Sequence, residues 1–129
     1  MNLLETANHP SLRQPAAVAV EAATLCRLLQ LATAAAFGVP LDEMRAPSRR
    51  AAKVAFARQS AMYLSHVMLG LNYSAVGLLF HRDRTTAAYA CKLVEDRRDD
   101  PAVDRLLQKL EDVCGCLGQG IASQRQTRP

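Results

Sequence analysis

The proline positions constrain this chain more than any other feature. Prolines stand at 10, 15, 40, 47, 101 and 129, and none lies between Ser48 and Asp100. Because a proline breaks the hydrogen-bond ladder of a helix or a central strand, these positions separate three regular zones. The composition then selects helices, since 22 Ala and 18 Leu stand against six aromatic residues and no Trp. At 129 residues the chain is long enough for one compact domain, and we predict an all-α fold.

Apolar residues that recur at spacings of three and four define the expected helices. The pattern predicts helices over 16–37, 49–69, 74–80 and 84–98, a short helical turn over 39–45, and a last helix from Pro101 to Leu117. Gly38 and Gly70 stand where helices should end, and Asp83 is a suitable N-cap for the helix that follows it. We therefore divide the chain into a flexible N-terminus (1–15), a helical domain (16–117) and a disordered tail (118–129).

Several protein classes are excluded by what the sequence lacks. The longest apolar stretch, Leu31 to Leu41, is too short to cross a bilayer, and the first 15 residues do not resemble a secretory signal. The four cysteines are irregularly spaced and the three histidines are scattered, so neither a disulfide scaffold nor a zinc site is predicted. We expect a cytoplasmic protein with reduced, packed thiols and no metal.

The charge is concentrated in the middle of the chain. Residues 45–98 carry ten basic and three acidic side chains, whereas the segments on either side of them are each slightly acidic. The same segment contains a short predicted helix, a tight turn and a second helix with a polar start, at about 73–98. This is the order of a helix-turn-helix, in which the second helix enters the major groove of DNA. The pattern therefore indicates a polyanionic partner.

Three motifs strengthen this interpretation. They are Ala57-Arg58-Gln59, then, about two dozen residues later, Phe80-His81-Arg82-Asp83-Arg84-Thr85-Thr86, and finally Tyr89-Ala90-Cys91-Lys92. In this order and at this separation they resemble the C-terminal DNA-binding domain of the bacterial replication initiator DnaA, over about residues 33–115. That family has Pro-Arg-Gln, Arg-Asp-His-Thr-Thr and His-Ala-Cys-Arg at these places, and one more residue in the turn. The resemblance implies a helical domain of the DnaA C-terminal or Trp repressor-like arrangement.

The resemblance also implies a set of DNA-binding residues. Arg50 matches an arginine that enters the minor groove, and Lys92 matches a basic position of the recognition helix. The proposed interface consists of Arg49, Arg50, Lys53, Arg58, Gln59, His81, Arg82, Asp83, Arg84, Thr85, Thr86, Tyr89 and Lys92. Within this set, the Arg-Gln pair matches residues near the phosphates, and the Asp and Thr residues match positions that approach base edges.

Departures from the family pattern bear on specificity and on activity. Arg84 and Tyr89 each replace a histidine, and because arginine most often pairs with guanine, the preferred DNA site is expected to differ from the family's. Ala57 replaces the proline of the first motif, which fits one unbroken helix. The 129 residues contain no Gly-rich phosphate loop, so we expect neither a nucleotide cofactor nor an enzyme.

The sequence thus predicts sequence-specific binding of double-stranded DNA in the bacterial cytoplasm, in association with the nucleoid. Regulation of transcription and regulation of replication initiation both fit, and the target sequence and a homodimer through the terminal helices are left open. The alternative is a helical protein-interaction module with an incidental basic face, whose partner docks on the first or last helix.

Overall fold

A computed structural model describes residues 15–46 and 51–126, with side chains over 21–46 and 51–116. These residues form six α-helices and no strand, which confirms the all-α prediction. The helices are α1 (Pro15–Phe37), α2 (Leu41–Arg45), α3 (Ala52–Leu69), α4 (Tyr73–Phe80), α5 (Arg84–Arg97) and α6 (Pro101–Gln126).

The helix ends follow from short-range chemistry that the sequence already displays. Gly38 (φ 66°) and Gly70 (φ 69°) occupy the left-handed region directly after α1 and α3, where a residue with a Cβ atom is disfavoured. Asn72 begins α4, because its side-chain oxygen accepts a hydrogen bond of 2.8 Å from the backbone N–H of Ala75. The predicted boundaries at these glycines are confirmed.

Two predicted boundaries are wrong. The last helix does not end at Leu117 but continues to Gln126, so residues 118–126 are not the disordered tail that their glycines suggested. A glycine inside a helix costs only about 1 kcal/mol, and the intervening Gln, Ala and Arg are good helix formers. The third helix begins at Ala52 rather than at Arg49, and residues 1–14, 47–50 and 127–129 lie outside the described residues.

The main core lies where α1, α3, α5 and α6 meet. Its buried side chains include Leu29, Leu64, Val94 and Leu107. The predicted inner face of α5 is confirmed, since Ala87, Ala90, Cys91 and Val94 are all buried. Burial raises the pKa of the Cys91 thiol to about 11, with a further contribution from Glu95, so this cysteine is a neutral packing residue.

A smaller apolar cluster holds the segment from α4 to α5 against α3. It consists of Met62, Val76, Ala87 and Ala90, each at most 1 % exposed. Because two of the four side chains are alanines, the backbone of α5 can approach α3 closely. The position of α5 on the surface is therefore set by packing along its whole inner face.

The C-terminal end of α5 is held by one arginine. Arg98 Nε donates to Asp104 Oδ1 over 2.6 Å, and its Nη1 donates to the Tyr63 hydroxyl over 3.2 Å and also to Glu111 Oε1. Burial alone would lower the pKa of Arg98, but these three acceptors outweigh it and raise the pKa, so the guanidinium is held charged. We call this group the Arg98 junction; it joins the end of α5 to α3 and α6.

No helix in the described part of the chain is long and apolar enough to cross a bilayer.

Candidate nucleic-acid interface

In the turn between α4 and α5, the backbone of α4 at Gly77 comes very close to the backbone at Arg82. The N–H of Arg82 donates to the carbonyl of Gly77 over 2.7 Å, and the N–H of His81 donates to Leu78 over 3.4 Å, which together form a Schellman motif. A Cβ atom at Gly77 would lie 2.6 Å from the carbonyl oxygen of Arg82, so only glycine permits this approach. His81 itself has φ 56°, a left-handed conformation that is uncommon for a residue with a side chain.

Asp83 fixes the first turn of α5. Its Oδ1 accepts a hydrogen bond of 2.6 Å from the backbone N–H of Thr86. This bond, together with one from the Thr86 side chain, lowers the pKa of Asp83. A depressed carboxylate pKa stabilises the fold above the ordinary pKa of Asp, and that contribution is lost as the pH falls through the lowered value. At neutral pH the N-cap predicted from the sequence is therefore fully formed.

The outer face of α5 carries polar side chains that the fold does not use. Successive residues of a helix are rotated by about 100°, so Thr85, Tyr89 and Lys92 lie together, opposite the buried face. All three are exposed, and the Tyr89 side chain is 63 % exposed. Arg84 and Thr86 are also exposed and flank this face at the N-terminal end of the helix. Among the described residues, Arg84 and Lys92 make no hydrogen bond or ion pair.

The cationic surface ends abruptly along α5. One turn beyond Lys92, the exposed side chains are Glu95 and Asp96. Arg97, the next cation, turns back over the core, with its guanidinium carbon 3.9 Å from the centre of the Phe56 ring. A polyanion would be attracted to the first two turns of α5 and repelled by the turn after them. We call residues 81–92 the recognition segment.

Arg82, at the start of the recognition segment, lies close to a second arginine, Arg58 of α3. Arg58 of α3 donates from Nε to the carbonyl of Met44 over 2.7 Å, and from Nη2 to that of Ala46 over 3.3 Å. Arg82 donates from Nη2 to the same Ala46 carbonyl over 3.1 Å. Burial, and then the nearby Arg82, lower the pKa of Arg58, as expected for like charges held close together.

Several predicted residues lie outside α5, and the contacts of Arg58 and Arg82 show where two of them sit. The shared carbonyl of Ala46 lies directly after α2, so Arg58 and Arg82 tie the C-terminal end of α2 to the helix-turn-helix. Lys53 is exposed at the start of α3, and Gln59 is partly buried. Arg49 and Arg50 lie outside the described residues, and the minor-groove contact expected of Arg50 stays a prediction.

The structure therefore places eight of the predicted residues in the turn and the first nine residues of α5, and it brings Arg58 of α3 next to them through the Ala46 carbonyl that it shares with Arg82. The eight are His81, Arg82, Asp83, Arg84, Thr85, Thr86, Tyr89 and Lys92. One cation near them was missed by the sequence analysis, namely Arg45 of α2. Its significance depends on a hydrogen bond to Gln30, 15 residues away, for which the sequence carries no signal.

Comparison with known proteins agrees with this geometry. The family model of the bacterial dnaA protein helix-turn-helix matches residues 26–94, which is more than half of the chain and includes α4, the turn and most of α5. The matched family is a DNA-binding helix-turn-helix and not a catalytic domain.

Individual relatives match a similar share of the chain. The chromosomal replication initiator protein DnaA of Thermodesulfovibrio yellowstonii is 29% identical over 85 residues, covering 64% of this chain and 19% of the relative. The protein of that name from Mycobacteroides abscessus is 38% identical over 78 residues, covering 60% and 15%. The one from Clavibacter sepedonicus is 44% identical over 71 residues, covering 51% and 15%.

The chain thus spans less than a fifth of the length of these relatives. The match extends over the helices that form and support the helix-turn-helix. On this ground the chain belongs to the family of bacterial DnaA helix-turn-helix domains.

Proposed function

We propose that this protein binds double-stranded DNA sequence-specifically, with the N-terminal half of α5 in the major groove. The single observation that carries the proposal is the recognition segment, in which a tight turn leads into a helix whose exposed side chains include Arg84 and Lys92, both unpaired among the described residues. Membership of a DnaA helix-turn-helix family supports DNA binding as such. We propose further that this binding controls replication initiation, as the name of the relatives suggests, or else transcription.

Base reading is assigned to the start of α5. In a helix-turn-helix, the N-terminal residues of the second helix reach the base edges. Arg84 can donate two hydrogen bonds to O6 and N7 of guanine, and Thr85 can contact either a base edge or a thymine methyl group. Because Arg84 stands where the family has histidine, we expect a guanine at the matching position of the preferred site.

Backbone contacts are assigned to the cations around this centre. Lys92 lies two turns beyond Arg84 and Thr85 on α5, Arg82 lies in the turn before them, and Lys53 is exposed at the start of α3. Such contacts neutralise phosphates and fix the register of the protein without distinguishing one sequence from another. Arg49 and Arg50 are expected to add contacts in the adjacent minor groove.

Selection of bound duplexes from a random pool tests this proposal. The expected result is a defined site with a guanine that depends on Arg84, so that selection with Arg84→Ala loses the preference at that position. Competition binding should show a loss of about 1–3 kcal/mol for Arg84→Ala at the selected site and a smaller loss on random DNA.

Arg105→Ala is the matched control, because Arg105 is an exposed arginine of α6 outside the recognition segment. Its selected site and affinity should equal those of the wild type. Equal losses on selected and random DNA for Arg84→Ala would contradict the base-reading assignment. Protein that enriches no sequence at all would contradict sequence-specific binding itself.

A further inference from the structure

A chain of buried polar groups crosses the core and ends at Arg45. Ser65 Oγ donates to the carbonyl of Ala61 over 2.8 Å, and it lies 3.5 Å from the Cys26 sulfur. Gln30 Nε2 donates to that sulfur over 3.5 Å, and Gln30 Oε1 accepts from Arg45 Nε over 2.9 Å. Ser65, Cys26 and Gln30 are all buried, so these groups have little freedom to rearrange.

This arrangement holds the guanidinium of an exposed residue in place. Burying an amide is unfavourable unless its hydrogen bonds are made, and the buried Gln30 oxygen accepts its hydrogen bond from Arg45. Only the Nε atom of Arg45 is used; within the described residues its two terminal nitrogens have no hydrogen-bond acceptor. They are therefore fixed in direction and free to bind an anion.

Arg45 lines a cavity of about 180 Å³ with three other basic side chains. Arg27 comes from α1, Arg58 from α3 and His81 from the turn after α4. The described side chains that line the cavity include no Asp or Glu. Arginines from three helices thus line one concave site, with the His81 imidazole beside them, and their attraction for an anion is greater there than on a flat surface.

We infer that this cavity holds a phosphate of the DNA backbone, with Arg45 as the contact that the buried polar chain orients. This inference rests on the proposed function and extends the DNA-binding surface from the helix-turn-helix to α1 and α2. The cavity adjoins the recognition segment, because His81 belongs to both and Arg58 shares the Ala46 carbonyl with Arg82.

The size of the cavity favours a single phosphate group over a larger metabolite. Sites for drug-sized ligands and cofactors usually have volumes of about 300–1,000 Å³, which is well above that of this cavity. Planar guanidinium groups match the oxygens of a phosphate and bind it through two bonds at once. A backbone phosphate also needs an open site, because the sugars on either side of it remain outside.

Neutral backbone substitution tests the inference directly. A set of duplexes carries the selected site, each with one phosphate replaced by an uncharged methylphosphonate. For the wild-type protein, replacing the phosphate at one position next to the site should weaken binding about 5–10-fold, because it removes the charge that Arg45 binds. For Arg45→Gln, binding to the unmodified duplex should be weaker by about the same factor, and that position should have no further effect. Arg45→Lys, which keeps the charge but loses the bond to Gln30, should be intermediate.

Arg105→Gln is the charge-matched control and should reproduce the wild-type profile. Thermal unfolding of each variant establishes that a changed profile belongs to a folded protein. If Arg45→Gln and the wild type show the same penalty at every position, the cavity does not hold a DNA phosphate. A wild-type protein without any preferred duplex would instead contradict the proposed function, and that result appears before any variant is compared.

Discussion

The two ends of α5 use arginine in opposite ways. Arg84, at the N-terminal end, is exposed and has no partner among the described residues, whereas Arg98, just after the C-terminal end, is bound by Asp104, Glu111 and Tyr63. Both carry the same charge within one short segment. The fold therefore binds the arginine at the C-terminal end of α5 and leaves the arginine at the N-terminal end exposed.

The surrounding charges follow the same division. Beyond Lys92 come the exposed carboxylates Glu95 and Asp96, and the guanidinium of the next cation, Arg97, lies over the Phe56 ring. The exposed side chains of Arg84, Tyr89 and Lys92 in the recognition segment should contribute little to stability, whereas the polar groups of the Arg98 junction should contribute mostly to stability. Substitutions should therefore separate DNA binding from folding, and the predictions below are arranged from the largest expected effect to the smallest.

Gly77→Ala should have the largest effect, because it acts on the turn that positions the recognition segment. The added Cβ atom would meet the Arg82 carbonyl at 2.6 Å, so the turn must move. We predict a loss of about 3 kcal/mol in the free energy of unfolding, measured by urea denaturation.

Gly115→Ala in α6 is the matched control, since a Cβ atom there meets nothing within 4 Å. It should be neutral or should stabilise the protein by up to about 1 kcal/mol. Equal effects of the two substitutions would show that the close approach at Gly77 does not hold the turn.

Arg98→Met should lower stability and leave DNA recognition intact. Removing the guanidinium leaves Glu111 and the Tyr63 hydroxyl without their partner, although Asp104 is half exposed and its share is screened by water. We predict a loss of roughly 1–3 kcal/mol in the free energy of unfolding, and an unchanged selected site below the melting temperature. A variant that remains fully stable but binds DNA poorly would reverse the division between the two ends of α5.

Lys92→Gln should affect binding alone, and only modestly. The side chain is exposed and unpaired among the described residues, so stability should change by less than about 0.5 kcal/mol. Binding to selected and random duplexes should weaken by the same factor, about threefold, and the slope of log affinity against log salt should fall by about 0.9. Lys109→Gln on α6 should change neither quantity, and a loss confined to the selected duplex would assign Lys92 to base reading instead.

His81→Gly should have the smallest effect and the opposite sign. At φ 56° a side chain is disfavoured, and glycine removes that cost at the expense of a more flexible unfolded chain. We predict stabilisation of up to about 0.5 kcal/mol, seen as a slightly higher melting temperature. A lower melting temperature would mean that the contacts of the imidazole beside the cavity outweigh its backbone strain.

The sequence predicts those features that depend on neighbours along the chain. Gly38, Gly70 and the Asp83 cap are found where expected, because each satisfies or ends a helix within four residues. The inner face of α5 follows equally from its period of 3.6 residues. The end of α6 could not be predicted in this way, because Gly118 and Gly120 weaken the helix without ending it.

The features that sequence reasoning missed depend on residues far apart in the chain. Cys26 and Ser65 are 39 positions apart, and Gln30 and Arg45 are 15 apart, so the orientation of Arg45 is visible only in the folded protein. The phosphate contact of Arg58 stays a prediction, whereas its bonds to the carbonyls of Met44 and Ala46 carry no signal in the sequence. Motif matching identifies which residues are polar, but not which partners hold them.

Chemical-shift mapping of the backbone amides during titration with the selected duplex tests the central claim most directly. The account predicts large changes in residues 81–92 and little change at Arg97 and Arg98 or along the exposed face of α6. Changes confined to α1 or α6, with the amides of residues 81–92 unmoved, would contradict it.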